Sequence, residues 1–201
     1  MNKIKLLKKL AEISQPYFTT TDMGKILDVG QQSLSVVLNR LVKEGVLIRL
    51  KRGVYQPEFQ KSDLLKVANE LYYPSYLSFE SALSKYGILS QTPYTLTFAT
   101  NKPSKKIKLG LKEVEYRQIK EEYYFGYLLE DGVYIAQVEK AILDQLYMIS
   151  RGLSASNPSE WSLVGLNKYK LLDYSKKFPI AVRKQVKQLI PRLGKQVTSV
   201  R

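Results

Sequence analysis

The 201-residue chain has no histidine and no cysteine. Zinc, copper and haem sites lean on imidazole and thiolate, and Ser-His-Asp or Cys-His catalysis needs an imidazole, so these chemistries are excluded. Disulfides are excluded too, and no redox compartment can be read from cysteine. What remains is carboxylate, lysine, tyrosine or Ser/Lys chemistry. No apolar run is long enough for a transmembrane helix. The start, Met1 to Leu10, alternates lysines with apolar residues, whereas a secretory signal needs an unbroken apolar stretch and a small-residue cleavage site. The expected location is cytoplasmic, with no membrane partner. There is no glycine-rich phosphate loop, no internal repeat and no low-complexity stretch.

What is present is a substantial apolar fraction, 44%, enough for one large core or two small ones, and a large excess of positive charge. Lys and Arg number 32 against 18 Asp and Glu, a net charge of +14. The excess is uneven: residues 1–57 carry +6, residues 58–167 carry −1 and residues 168–201 carry +9. Two basic ends flank a neutral middle. Basic faces attract polyphosphates by releasing condensed counterions and steer encounter at long range. One basic tail can also serve solubility alone.

At the N-terminal end the periodicity is helical. Ile4, Leu7, Leu10 and Ala11 place a helix over about Lys3–Ile13, stopped by Pro16. Tyr17-Phe18-Thr19 is a short extended piece. The capping residues Thr20-Thr21-Asp22 open a second helix to about Leu27. Val29-Gly30 turns the chain into a third helix, about Gln31–Glu44, ended by Gly45. Val46–Leu50, the tip Lys51-Arg52-Gly53 and Val54–Gln56 read as a β-hairpin with a basic tip. Three helices followed by a basic hairpin is the winged helix-turn-helix order.

Stepping about 100° per residue along the third helix puts Leu34, Val37, Leu38 and Leu41 on one side. Gln32, Val36, Asn39 and Lys43 lie on the other, flanked by Ser35 and Arg40. That stripe suits a major groove. Gln and Asn grip adenine edges, and Val packs on a thymine methyl. Residues early in such a helix reach bases and later ones meet phosphate. Gln32, Ser35, Val36 and Asn39 are therefore assigned to bases, and Arg40 and Lys43 to backbone. A plain solvated face is the competing reading, and an exposed Val has no use there. Lys51 and Arg52 at the tip are placed to meet phosphate or the minor groove.

Gln56-Pro57-Glu58 leaves the hairpin, and a domain boundary is expected near 58–62. Asp63 caps a helix over Leu64–Leu71, broken by Tyr72-Tyr73-Pro74. Ser78 caps another over Phe79–Tyr86, ending at Gly87. Strands are expected over Tyr94–Phe98, Lys106–Leu109, Val114–Ile119, Tyr123–Leu129 and Val133–Ala136. A helix follows over about Gln137–Ile149, Asn157-Pro158-Ser159-Glu160 marks a loop and a helix start, and further helices are expected over about Leu166–Lys177 and Ile180–Leu193. The fold class is α+β: an N-terminal winged helix over 1–58, then an α+β domain over 59–201. The latter comprises an α+β part with a mainly antiparallel sheet (59–150) and a basic helical end (151–201). In the last helix Val182, Val186, Leu189 and Leu193 form an apolar stripe. Arg183, Lys184, Lys187 and Arg192 lie away from it, either as possible DNA contacts or as a solvated outer face.

For catalysis the candidate is Glu113-x-Glu115 with Arg117, which sits on a strand as nuclease carboxylates do. No spaced Asp partner with a Lys-bearing motif completes it, and alternation along one strand is also how an exposed face looks. No catalytic, metal or cofactor site is assigned, and the chain is read as a non-enzyme. The 15 tyrosines are read as half-buried packing.

Three stretches, in this order, carry a resemblance: LVKEGVLIRLKRGVY at residues 41–55, PSYLSFESALSKYG at 74–87 and IAQVEKAILD at 135–144. Over about residues 1–150 the chain resembles the AbiEi antitoxins of bacterial abortive-infection (AbiE) operons. Many members carry Pro before the Glu-Lys-Ala where this chain has Val138, which leaves the helix start open. The resemblance implies a winged helix joined to a C-terminal antitoxin domain. It implies a nucleotidyltransferase-like toxin from the same operon, countered without a stable complex, the arrangement called type IV. It also implies repression of the chain's own promoter through inverted repeats, by a monomer in solution that binds cooperatively, in phage defence and plasmid maintenance. The family's DNA-reading elements map onto the third helix and onto Arg49, Lys51 and Arg52. The residues that neutralise the toxin do not map. An RNA- or ribosome-binding winged-helix protein stays open as an alternative, kept by the tyrosines, as does, more distantly, a metal-dependent nuclease.

Overall fold

A computed structural model describes residues 3–13, 15–59 and 63–193. Residues 60–62 of the expected boundary and 194–201 of the basic end lie outside the described residues, as do Met1 and Asn2. The chain divides into two compact units: Met1–Ala68 with Lys108–Lys112, and Asn69–Ile107 with Glu113–Arg201.

Unit 1 runs α1 (Lys3–Glu12), β1 (Phe18–Thr19), α2 (Thr20–Leu27), α3 (Gln31–Lys43), β2 (Leu47–Lys51) and β3 (Val54–Pro57). Its sheet has the order β1-β3-β2, antiparallel throughout. The local chemistry accounts for each boundary. Thr19 caps α2 in a reciprocal capping box with Asp22, whose carboxylate accepts from the Thr19 amide at 2.8 Å. Asp28 ends α2 in the left-handed region, φ 53°. Gly45, φ +67°, ends α3 in a Schellman arrangement, with Val46 N–H donating to Leu41 C=O at 2.9 Å. Leu6, Leu10, Phe18, Met23, Leu34, Leu38 and Leu41 form the core. Gly24 lets α2 and α3 approach closely, because a Cβ there would stand 3.2 Å from Leu34 Cδ2. This unit is the winged helix-turn-helix that the periodicity implies.

The next helix, α4 (Leu64–Leu71), crosses the division between the units. The chain continues with β4 (Ser75–Leu77), α5 (Phe79–Lys85), β5 (Leu96–Thr100), β6 (Lys105–Leu109), β7 (Lys112–Gln118), β8 (Tyr127–Glu130), β9 (Val133–Ala136), α6 (Val138–Ser150), α7 (Lys168–Ser175) and α8 (Ile180–Leu189); all belong to the second unit except Lys108–Lys112, where β6 ends and β7 begins. The six strands run in the order β6-β7-β5-β4-β9-β8. β4 pairs antiparallel with β5, and β8 with β9. The two-residue connection Gly110-Leu111 makes β6–β7 a hairpin as well. Two pairs are parallel, β4 with β9 and β5 with β7. The sheet is thus antiparallel-rich but mixed. The sequence hid this because β4 is only three residues long and was not expected at all.

Three other elements differ from the sequence reading. Over Tyr123–Leu129 the chain makes a 3-10 turn at Glu121–Tyr123 and becomes a strand only at Tyr127. Gly126, φ +71°, interrupts the extended run, and a Cβ there would meet Tyr174 at 3.1 Å and Lys140 at 3.2 Å. Asn157–Glu160 opens a single 3-10 turn instead of a helix. Strand β5 starts two residues later than Tyr94. Val138 stands at the first position of α6, a position where proline is also favoured in helices.

Candidate nucleic-acid interface

Helix α3 buries Leu34, Leu38 and Leu41, half-buries Val37, and leaves Gln32, Ser35, Val36, Asn39, Arg40 and Lys43 exposed. Val36 is 69% exposed.

The hairpin adds a second set of cations. Arg49 and Arg52 are exposed and Lys51 is half-buried. Arg49 lies opposite Tyr55, and the register shifts between Arg49 and Lys51, an irregularity that raises local twist at the tip. Gly53, φ +79°, closes the turn, and its carbonyl accepts from Thr20 N–H at 3.0 Å. That bond ties the tip to the first turn of α2. Among the described residues, none of Arg40, Lys43, Arg49, Lys51 and Arg52 pairs with a carboxylate. Lys3, by contrast, pairs with Glu44 at 3.0 Å.

In unit 2 the basic residues expected on one helix to Leu193 divide, because α8 ends at Leu189 and Arg192 lies in a 3-10 turn, Ile190–Arg192. Arg183, Lys184 and Lys187 are exposed above the buried stripe of Val182, Val186 and Leu189. Arg192 is half-buried, and its guanidinium donates to the carbonyls of Pro158 (2.6 Å), Ser159 (3.0 Å) and Trp161 (2.9 Å). Its hydrogen bonds fasten a loop.

Glu115 and Arg117 are held in an ion-pair chain. Arg117 donates to Glu80 at 2.7 Å and to Glu115 at 2.9 Å, and Lys106 reaches Glu115 at 3.1 Å. Burial alone would raise the Glu115 carboxyl, but hydrogen bonds and charge from Arg117, then Lys106, outweigh it and hold it below its ordinary value. Both Glu115 oxygens are thereby engaged, and Glu113 next to them is exposed.

One cluster escaped the sequence reading. Lys140 and Asp144, four apart on α6, are both fully buried and paired. Tyr76 hydroxyl accepts from Lys140 Nζ at 2.7 Å and donates to Asp144 Oδ2 at 2.9 Å. Ser78 Oγ donates to the same oxygen at 2.8 Å. The rings of Tyr76, Phe125 and Phe178 surround the ammonium at 5.2–5.4 Å. Burial pushes the Asp144 carboxyl up and the Lys140 ammonium down, and each partner opposes the other's shift. Ser78 does occupy the N-cap position of α5, but its hydroxyl serves Asp144 and no side-chain cap bond forms. Two of the three stretches that carry the family resemblance, 74–87 and 135–144, meet in this cluster. A charged pair at helical spacing among Val138, Ala141, Ile142 and Leu146 was the available signal.

No helix among the described residues is long and apolar enough to cross a membrane. No curated protein matches the chain. Among solved structures, the RV2827C protein from Mycobacterium tuberculosis superposes with a TM-score of 0.64 at 13% identity, over 95% of this chain and 76% of that one. At that identity the likeness shows the fold alone. Residues 5–57, the winged helix just described, match the family model described as "Transcriptional regulator, AbiEi antitoxin".

Proposed function

We propose that the chain is a DNA-binding antitoxin that represses its own operon. Unit 1 reads inverted repeats in the promoter, and unit 2 counters a nucleotidyltransferase-like toxin without a lasting complex. The carrying observation is the α3 face: a polar stripe with an exposed Val36, continued by unpaired cations on the hairpin. Gln32, Ser35, Val36 and Asn39 read base edges, Arg40 and Lys43 hold the adjacent phosphates, and Arg49, Lys51 and Arg52 contact backbone or minor groove. The hairpin tip is tied to the first turn of α2 by the Thr20–Gly53 bond, which holds the wing beside the helices that precede it. The chain works by binding and not by catalysis, with no cofactor, as a cytoplasmic monomer that binds DNA cooperatively.

Footprinting on the DNA upstream of the chain's own gene tests the DNA half. Protection of two inverted repeats, with a reporter repressed in parallel, is the expected result. Binding that is indifferent to sequence overturns it. Growth rescue in cells expressing the neighbouring toxin gene tests the other half.

A further inference from the structure

The two edges of the six-stranded sheet are built differently. β6 carries Lys105, Lys106 and Lys108, and charged edges resist pairing with further strands. At the other edge β8 reads Tyr127-Leu128-Leu129-Glu130, with Leu128 and Leu129 52% and 60% exposed. Among the described residues nothing pairs with its outer side. An apolar, unguarded edge strand offers a row of backbone donors and acceptors.

The surroundings of β8 are also chemically distinct. Residues 121–139 form the longest stretch of the chain without Lys or Arg, and they hold five carboxylates and four tyrosines. Rings are continuous from the buried Tyr76 through Tyr127 (4.6 Å, stacked) and Tyr134 (5.8 Å from Tyr127) to Tyr73, which is 60% exposed. The charge of Glu121 reaches Tyr127. Neighbouring lysines are engaged: Lys85 with Glu130 and Lys120 with Glu122, both at 3.7 Å, while Lys102 donates to the Tyr73 carbonyl. Glu121 and Asp131 have no ion pair among the described residues. On a chain of net charge +14, this strip repels phosphate and attracts cations, and aromatic faces bind cations as well.

We infer that the β8 edge docks an extended, lysine- or arginine-bearing segment of a partner protein, which adds a strand to the sheet. Backbone bonds and the two leucines supply adhesion. The partner's cationic side chains lie against Tyr73, Tyr127, Glu121 and Asp131. The inference rests on the reading of unit 2 as the partner-facing part, and it is independent of the DNA reading.

The test uses the full chain and a fluorescein-labelled peptide of alternating lysine and valine, with a glutamate-valine peptide as control, read by anisotropy. The overall charge repels the lysine peptide, so its binding reports a local site. Saturable binding of that peptide alone is expected. Leu128→Lys with Leu129→Lys should weaken it at least tenfold. Glu121→Gln with Asp131→Asn should weaken it several-fold and flatten its salt dependence. Melting curves show that each variant is folded, and duplex DNA affinity within twofold of wild type reads the other function separately. Unchanged peptide affinity in both variants overturns the inference. Two other results also overturn it. Binding of an oligothymidylate that is lost in Tyr73→Ala would make the occupant a single-stranded nucleic acid. Concentration-dependent dimerisation that is lost in the leucine variant would make it a second copy.

Discussion

Asn39 stands exposed near the middle of α3, on the stripe that also carries Gln32 and Val36. An amide side chain satisfies two adenine edge atoms at once, and a phosphate contact satisfies none of them. Asn39→Ala should therefore cost about 1–3 kcal/mol on the operator and far less on random DNA. Titrations on both DNAs decide it, and equal losses would mean that α3 touches only backbone. The buried Lys140–Asp144 pair gives the opposite kind of prediction. Removing one charge leaves the other buried and unpaired, which costs about 3–5 kcal/mol. Asp144→Ala should lower the urea midpoint accordingly, and adding Lys140→Met to it should restore stability instead of lowering it again. Additive losses would show that the pairing does not matter. Glu115 responds to pH. Its folded value lies below its ordinary value of 4.5, so its contribution is complete above that pH and is lost as pH falls through the folded value. Urea midpoints at pH 6 and pH 3.5 should diverge less in Glu115→Gln than in wild type.

The hairpin of unit 1 is short, and its tip is held by one bond from Thr20 to Gly53. Its reach depends on the element as a whole, and its charges act through phosphates. Lys51→Ala with Arg52→Ala should weaken specific and non-specific binding alike. The slope of log affinity against log salt should flatten by about two units, at roughly 0.9 per phosphate lost. An unchanged slope would place the wing off the DNA. This element was legible in the sequence, as were α1–α3, because each is bounded by a local signal: Pro16, the run of capping residues before α2, Gly45 and Gly53, although the cap is Thr19 and not one of Thr20-Thr21-Asp22. The cationic and polar face of α3 was legible for the same reason, since helical periodicity alone separates it from Leu34, Leu38 and Leu41. Unit 2 was legible only in part. Its α6, β7 and β9 follow local patterns, but β4 is fixed by its neighbours in the sheet and by Asn69, whose amide donates to Ser75 C=O at 2.6 Å. Partners far apart in sequence also decide the role of Ser78 and the break at Gly126. Nothing within the window 74–78 announces the first, whereas Gly126 inside 123–129 is itself a local signal of the second.

Charge on the whole molecule is separated into regions. The hairpin and α3 present unpaired cations, α8 presents Arg183, Lys184 and Lys187, and the strip around β8 has none. The three exposed cations of α8 are fixed on a helix whose other side is buried, so they are offered to solvent on a rigid support. Residues 168–201 carry +9, and the only acid among them is Asp173, which pairs with Lys176 at 2.9 Å. If winged helices occupy neighbouring repeats, cations of this kind bind the DNA between them and favour the second copy once the first is bound. Lys184→Glu with Lys187→Glu should then leave affinity for a single repeat within a few-fold and lower cooperativity on paired repeats. The difference should shrink at higher salt, because exposed charges are screened beyond about 8–10 Å at physiological ionic strength. Isotherms on one-repeat and two-repeat DNA at two salt concentrations distinguish the outcomes. Equal shifts on both DNAs make α8 a general phosphate contact. No shift on either makes its basic side a solvated face over the packed stripe of Val182, Val186 and Leu189.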